Sequence, residues 1–216
     1  RDGYIYAPGM QGVRGILYRI PETGGAPEPV TAADTANGTL GHITPVVLPE
    51  GRGIVYTEWH GPTRGNDNWI VAWDLKNRRT VRLIQGLQAW YLEAGFLLVL
   101  RPNGIAVAVP FDAGELAVTG PETPVLEGIA IGANGTANLS VSSDGTLIYR
   151  AGNAQPSQRP VRAVRVTRSG QATDIDSAWS YTPGFNGGLS LSPDGSRLAV
   201  AVHGDPVGDI WIKELD

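Results

Sequence analysis

A four-residue phrase ending in glycine recurs along the chain. It reads Leu48-Pro49-Glu50-Gly51, Ser142-Ser143-Asp144-Gly145 and Ser192-Pro193-Asp194-Gly195. A weaker copy is Leu92-Glu93-Ala94-Gly95, and a shortened one is Asp2-Gly3. The closing glycines fall at 3, 51, 95, 145 and 195, so the gaps are 48, 44, 50 and 50 residues. Pro presets φ for one turn position, the acidic side chain binds nearby backbone N–H groups, and Gly supplies positive φ. That is the chemistry of a tight hairpin. The flanking runs alternate as half-buried strands do, as in Leu189-Ser190-Leu191-Ser192 and Leu198-Ala199-Val200-Ala201-Val202.

A period of about 40–50 residues with four strands per unit specifies an all-β fold, a β-propeller of four-stranded antiparallel blades. The blades fall near 1–40 (partial), 41–86, 87–130, 131–178 and 179–216 (partial), four to five blades in one domain. Strands are named a to d outward from the axis. The second blade predicts strands at 43–48, 53–58, 69–75 and 80–84, and the third at 90–92, 96–100, 105–111 and 123–126. The fourth predicts 138–142, 146–150, 162–167 and 172–175, and the fifth 189–192, 197–202 and 209–214. The first blade opens at its a–b turn, with strands at 4–7, 16–20 and 28–31. Strand a of the first blade and strand d of the last are missing from this parse. Residues outside this sequence, a second copy of the chain, or a strand assignment shifted by one blade would each account for this, and self-association to complete the ring is one expectation.

Composition narrows the function classes. Gly and Pro total 45 of 216 residues and punctuate short apolar runs, and no window sustains helical spacing. Net charge is −4 with scattered Arg, which marks no nucleic-acid surface. Zero Cys removes disulfide and thiol chemistry. The longest apolar run, Phe96 to Leu100, is too short to span a bilayer, so no membrane contact is expected of this segment.

Strand order fixes loop polarity. The Pro-Asp-Gly turns share one face, and the long b–c and d–a loops share the other. His42, His60 and His203 map to the long-loop face, with Trp59, Trp179, Tyr181 and Phe185. Loops on a rigid scaffold concentrate binding residues. Aligning on the turn glycine puts His42, Gly86, Thr136 and Asn186 in one axial ring and Thr44, Gln88, Asn138 and Gly188 in the next, with Trp90 just below. The candidate ligand-binding residues are His42, Gln88, Trp90, Asn138, Asn186, His60, Trp59, Trp179 and Tyr181. The ring is neutral and hydrogen-bonding. It suits a polar small molecule or a peptide terminus better than a metal, and no cofactor or metal site is expected.

Each candidate has a plainer reading. His42 suits a hydrogen bond to a neighbouring loop, and His60 and His203 suit solvated loop positions. Asn138 and Asn186 suit turn caps, and Trp90 suits packing. Trp69, Trp73 and Trp211 suit packing within c strands, and Trp73-Asp74 matches the WD dipeptide of propeller repeats. Catalysis finds little support: no Gly-x-Ser-x-Gly elbow, HExxH pair or phosphate loop is present.

The Pro-Asp-Gly repeats, Asp209-Ile210-Trp211-Ile212, and Ala108-Val109-Pro110-Phe111-Asp112 followed by Val118-Thr119-Gly120-Pro121 resemble the TolB-like β-propellers. Together with Arg19-Ile20-Pro21, Gly24-Gly25 and Pro29-Val30-Thr31, they resemble most the WD-like propeller C-terminal to the membrane span of many bacterial Ser/Thr protein kinases. No kinase motif is present. The resemblance implies six blades, of which this chain would be an arc, and an extracytoplasmic setting. It implies a non-catalytic binding or sensing module for a protein, peptide or small polar ligand. The rival expectations are an accessory gating propeller of a prolyl-oligopeptidase-type hydrolase, and a metal-dependent propeller hydrolase or lactonase.

Overall fold

The computed structural model describes residues 3–9, 15–61, 65–132, 135–137, 139–142, 146–152, 160–167, 171–183, 188–202 and 209–215. The fold is all-β: five small antiparallel sheets, the blades of a β-propeller. The chain packs as two compact units, residues 1–125 and 126–216.

The first unit holds three sheets. Strands β1 (Tyr4–Pro8), β2 (Leu17–Pro21) and β3 (Glu28–Pro29) form the first. Strands β4 (Gly41–Val47), β5 (Gly53–Trp59), β6 (Trp69–Asp74) and β7 (Arg79–Gln85) form the second, in chain order. The third is built on β8 (Gln88–Leu92), β9 (Phe96–Leu100) and β10 (Ala106–Asp112). Its outer position is shared by β11 (Ala117–Val118) and β12 (Thr123–Leu126), both paired with β10. The sequence predicts only the second of these. β11 arises because Asp112 Oδ1 accepts the N–H groups of Gly114 (2.8 Å) and Glu115 (2.9 Å), which turns the chain straight back onto β10.

The second unit holds two sheets. Strands β13 (Leu139–Val141), β14 (Leu147–Tyr149), β15 (Val164–Val166) and β16 (Ala172–Asp174) form one. Strands β17 (Leu189–Leu191), β18 (Arg197–Val202) and β19 (Asp209–Glu214) form the other.

Burial explains the strand patterns. β5 is covered on both faces: Ile54 and Tyr56 pack with Leu17 and Val71, while Val55 joins Ile70, Val99 and Val109. A strand buried on both faces reads as a continuous apolar run. In the second unit Ile148, Leu191, Leu198, Val200 and Tyr181 make the core. Trp69 and Trp73 pack partly buried against the Leu17 cluster, as expected of blade residues. Trp211 differs, standing 47% exposed on the last strand of its sheet.

The turns carry the geometry their residues predict. Gly3, Gly51, Gly95 and Gly195 all have positive φ, between 64° and 83°; the turn at 143–145 lies outside the described residues. In the last turn Asp194 Oδ1 accepts from Ser192 Oγ (2.6 Å), Ser196 N–H (3.1 Å) and Ser196 Oγ (2.8 Å).

Candidate functional site

β4 and β5 pair so that Gly41 faces Trp59 and His42 faces Glu58. The start of one strand and the end of the other therefore meet at one end of the second blade, opposite its Pro49–Gly51 turn. This end gathers polar side chains that the apolar blade cannot absorb.

His42 is buried. Its N–H donates to Gly15 O at 2.6 Å. Its Nδ1 lies 2.7 Å from Thr31 Oγ1, and that hydroxyl already accepts the Leu17 N–H at 3.0 Å. The Thr31 hydroxyl donates to Nδ1 when the neutral ring carries its proton on Nε2, and accepts from Nδ1–H in the other tautomer. The ring also lies against Tyr56, with centroids 4.6 Å apart. Burial pushes the His42 imidazole down to about 4, and the nearby Glu58 opposes this only in part. His42 is therefore held neutral.

Glu58 is buried beside it. It accepts from Thr39 Oγ1 at 2.8 Å and from Arg82 Nε (3.2 Å) and Nη2 (3.1 Å). Burial acts to raise its carboxyl, but the hydrogen bonds from Arg82 and Thr39 outweigh it and leave it below the usual value. The Arg82 guanidinium also lies over the Trp69 ring at 5.6 Å.

A hydroxyl chain runs inward from this cluster. Thr57 Oγ1 donates to Leu87 O at 3.0 Å, so Thr44 Oγ1, 3.0 Å from Thr57 Oγ1, is the donor between the two. Thr44 sits at φ 52° in the bulge between Ile43 and Val46. A β-branched residue rarely adopts that conformation.

Trp59 and His60 break the pattern of satisfied groups. The His60 backbone N–H donates to the buried Asn68 Oδ1 at 2.8 Å. His60 as a residue is only 7% exposed, yet neither of its ring nitrogens has a hydrogen-bond partner among the described residues. The Trp59 Nε1 is buried and equally unpartnered among the described residues. The sequence reads His60 as a solvated loop position, and the structure buries it. Pairing with β4 through Gly41 and the bond to Asn68 carry the chain inward past the expected end of β5.

The other candidates are placed as follows. Gln88 opens β8 opposite Leu100, next to the Leu87 carbonyl that ends the hydroxyl chain. Trp90 lies further along β8, half-buried, opposite Leu98. Trp179 and Tyr181 lie in the second unit as a stacked pair, centroids 5.2 Å apart at 27°. Lys213 Nζ stands 5.7 Å over the Trp179 ring and bonds Asp176 Oδ2 at 2.7 Å. Tyr181 is buried and exchanges backbone bonds with Val161; burial raises its phenol. Asn138, Asn186 and His203 fall outside the described residues. The structure thus brings His42, Trp59 and His60 to one blade end. Thr31, Glu58, Asn68 and Arg82 join them there, and the sequence reading does not single them out. The signal that could have found Glu58 is a charge closing an otherwise apolar strand. Among the described residues, no three His, Cys, Asp or Glu side chains gather as a metal-binding group.

No known protein family and no curated protein matches the chain in sequence. Solved structures share its fold. Regucalcin from Agrobacterium tumefaciens, described as a calcium-binding protein, aligns over 93% of this chain and 65% of its own at 12% identity, TM-score 0.62. A TolB-like protein from the same organism aligns over 98% of this chain and 77% of its own at 16% identity, TM-score 0.60. A puromycin-hydrolysing peptidase of Mycobacterium tuberculosis aligns over 98% of this chain but 33% of its own, at 14% identity and TM-score 0.57. The chain thus spans just under two thirds of regucalcin and a third of the peptidase. Likeness at this identity shows the β-propeller fold.

Proposed function

We propose that the chain is a non-catalytic binding propeller that takes a polar group of a protein, peptide or small molecule at the long-loop end of the second blade. The observation that carries this reading is that Trp59 Nε1 and both His60 ring nitrogens have no partner among the described residues. A buried polar atom without a partner costs about 1–3 kcal/mol. Such groups are rare in folded proteins and call for a cause. Around them His42, Glu58, Thr57 and Asn68 are all hydrogen-bonded. A ligand that offers acceptors and donors to Trp59 and His60 gives the arrangement its purpose. The setting we propose is a sensor module of a bacterial receptor kinase, on the motif resemblance above.

The test is a thermal-shift titration with tripeptides carrying free termini, on the wild-type chain and on His60→Leu. The reading expects a ligand-dependent rise in Tm that His60→Leu abolishes while its own Tm stays equal or rises. An equal shift in both proteins, or no shift with any peptide, would sink it.

A second reading has one observation in its favour. Nearly the whole chain aligns with a third of a larger peptidase, which suits an accessory propeller beside a catalytic domain. A Gly-x-Ser-x-Gly domain in the same gene would decide for it, and a kinase domain with a membrane span would decide for the sensor.

A further inference from the structure

Across the sheet β13–β16, strand pairing sets Ser140, Ile148, Arg165 and Thr173 in one row. Across the sheet β17–β19 it sets Leu191, Leu198 and Lys213 in another. Residues directly opposite one another share a face of their sheet. The two rows meet at one level: Ser140 Oγ accepts the Leu191 N–H at 2.8 Å, and Ile148 and Leu198 pack in one cluster. Ala163 and Ile175, each two residues from Arg165 or Thr173, pack in that cluster too, so this face of β15 and β16 looks toward β17–β19. Arg165 and Lys213 therefore hold matching third-strand positions on the two sides of the gap. Propeller blades radiate from a central axis, so neighbouring sheets diverge outward. Apolar contacts close the gap at the first two strands, and it widens into a wedge at the third and fourth.

The charges in this wedge do not balance. Asp176 gives Oδ2 to Lys213 Nζ at 2.7 Å and Oδ1 to the Ala178 N–H at 2.9 Å. Asp174 is taken by Arg162 at 2.7 Å and lies opposite Val164, on the other face of the sheet from Arg165. Asp194 is turned to Ser192 and Ser196. The ion pairs Arg162–Asp174 and Lys213–Asp176 leave Arg165 out. Arg165 is half-buried, and its Nε is buried with no hydrogen-bond partner among the described residues. Holding a charge out of water without a partner is costly. A role in packing alone would be met by Leu or Met at no such cost.

We propose that this wedge binds the carboxylate of a ligand, with the Arg165 guanidinium as its counter-charge and the Thr173 hydroxyl as a second donor. One unpaired cation calls for one negative charge, because Asp176 already neutralises Lys213. The planar guanidinium fork matches a planar carboxylate, and a flat group suits a gap between two sheets. Thr173 stands directly opposite Arg165, exposed on the outer strand β16. The carboxylate belongs to a small organic acid or to a peptide C-terminus. The site lies within residues 126–216 and uses neither His60 nor Trp59.

Acetate is the first probe. Titrated into the 216-residue chain against chloride at equal ionic strength, it should shift the Arg165 Nε–H resonance and raise Tm. The resonance is identified by its absence from Arg165→Leu. That variant should lose the acetate-dependent rise, and without acetate its Tm should equal or exceed that of the wild type. Arg165→Lys keeps the charge without the fork and should bind acetate about tenfold more weakly. If Arg165→Leu does not fold, Arg165→Lys supplies the assignment and the wild-type titration decides. The acetate response should persist in His60→Leu, which separates this site from the one proposed above. N-acetyl-dialanine and its C-terminal amide tell the two sources apart. A peptide site answers the free acid at lower concentration than acetate and does not answer the amide, whereas a small-acid site answers acetate at least as well. An Arg165 resonance that never moves with acetate overturns the proposal. So does a Tm rise that is unchanged in Arg165→Leu, or a stronger response to phosphate than to acetate. A clear loss of stability in folded Arg165→Leu also overturns it, since the guanidinium would then already have its partner.

Discussion

Thr31 Oγ1 and His42 Nδ1 stand 2.7 Å apart in the interior, and this contact ties the connection after β3 to the first residues of β4. Burial of the ring around this contact disfavours its charged form.

Stability should therefore fall in acid. The folded-state value of His42 lies near 4, below the ordinary 6.5, because burial disfavours the charged ring. The unfolded chain binds the proton more readily than the folded one. The His42 contribution is full above pH 6.5, shrinks as pH falls, and is gone once pH passes below about 4. One proton gives a slope approaching about 1.4 kcal/mol per pH unit in that window. Urea melts between pH 7 and 4 should show this slope, reduced in His42→Phe, which keeps a ring beside Tyr56. An equal slope in both proteins would place the titration elsewhere.

Glu58 depends on Arg82. Its carboxylate is buried and Arg82 is half exposed. Arg82→Ala leaves the charge with only the Thr39 hydroxyl, at a cost of about 1–2 kcal/mol once solvent screening of the exposed partner is allowed for. Adding Glu58→Gln removes the stranded charge and should recover part of that loss. Chemical denaturation of the single and double variants measures the coupling. Strictly additive losses would show that the two side chains do not act together.

Turn chemistry was the part of this molecule most legible in sequence. Asp194 and Gly195 do what the repeat predicts, and the strands of the second and third blades begin and end within a few residues of expectation. β11 was not legible because its cause is a side-chain cap at Asp112 and its length is two residues. At the site, His42 and Glu58 are neighbours across β4 and β5, but their partners Thr31, Thr39 and Arg82 come from other segments. No local pattern announces those contacts. The burial of His60 was hidden for the same reason: Asn68 fixes its backbone from the far side of the 60–68 connection. Local rules found the frame, and the site depends on distant pairings that they do not encode.

The second-blade turn departs from its siblings in a way that is testable. Glu50 takes φ 56°, a left-handed conformation costly for a residue with a Cβ, just before Gly51 at φ 64°. Glu50→Gly should stabilise by about 0.5–1 kcal/mol, because the strain outweighs the added chain entropy. Gly195→Val, at φ 73°, should destabilise by about 1–3 kcal/mol. Thermal melts of the two variants should move in opposite directions. A Gly195→Val protein with an unchanged Tm would refute the turn assignment.

The position of His42 rests finally on two glycines. Gly15 and Gly41 form a parallel bridge, and the His42 N–H donates to Gly15 O at 2.6 Å. A Cβ on Gly15 would lie 2.3 Å from Gly41 Cα and 2.9 Å from Leu40 O. Both obstacles are backbone, so no rotamer change relieves them. Gly15→Ala must push the start of β4 away from the segment before β2. It should destabilise by about 2–3 kcal/mol, at the upper end of ordinary overpacking. Gly3→Ala is the control, since a Cβ there meets nothing within 4 Å and only its φ of 79° is at stake. Losing the bridge also frees His42 from its buried seat, so in Gly15→Ala the acid-dependent slope between pH 6.5 and 4 should flatten. Urea melts at both pH values read the two effects together. A full slope in a destabilised Gly15→Ala protein would mean that Thr31 and Tyr56 hold His42 without the glycine contact.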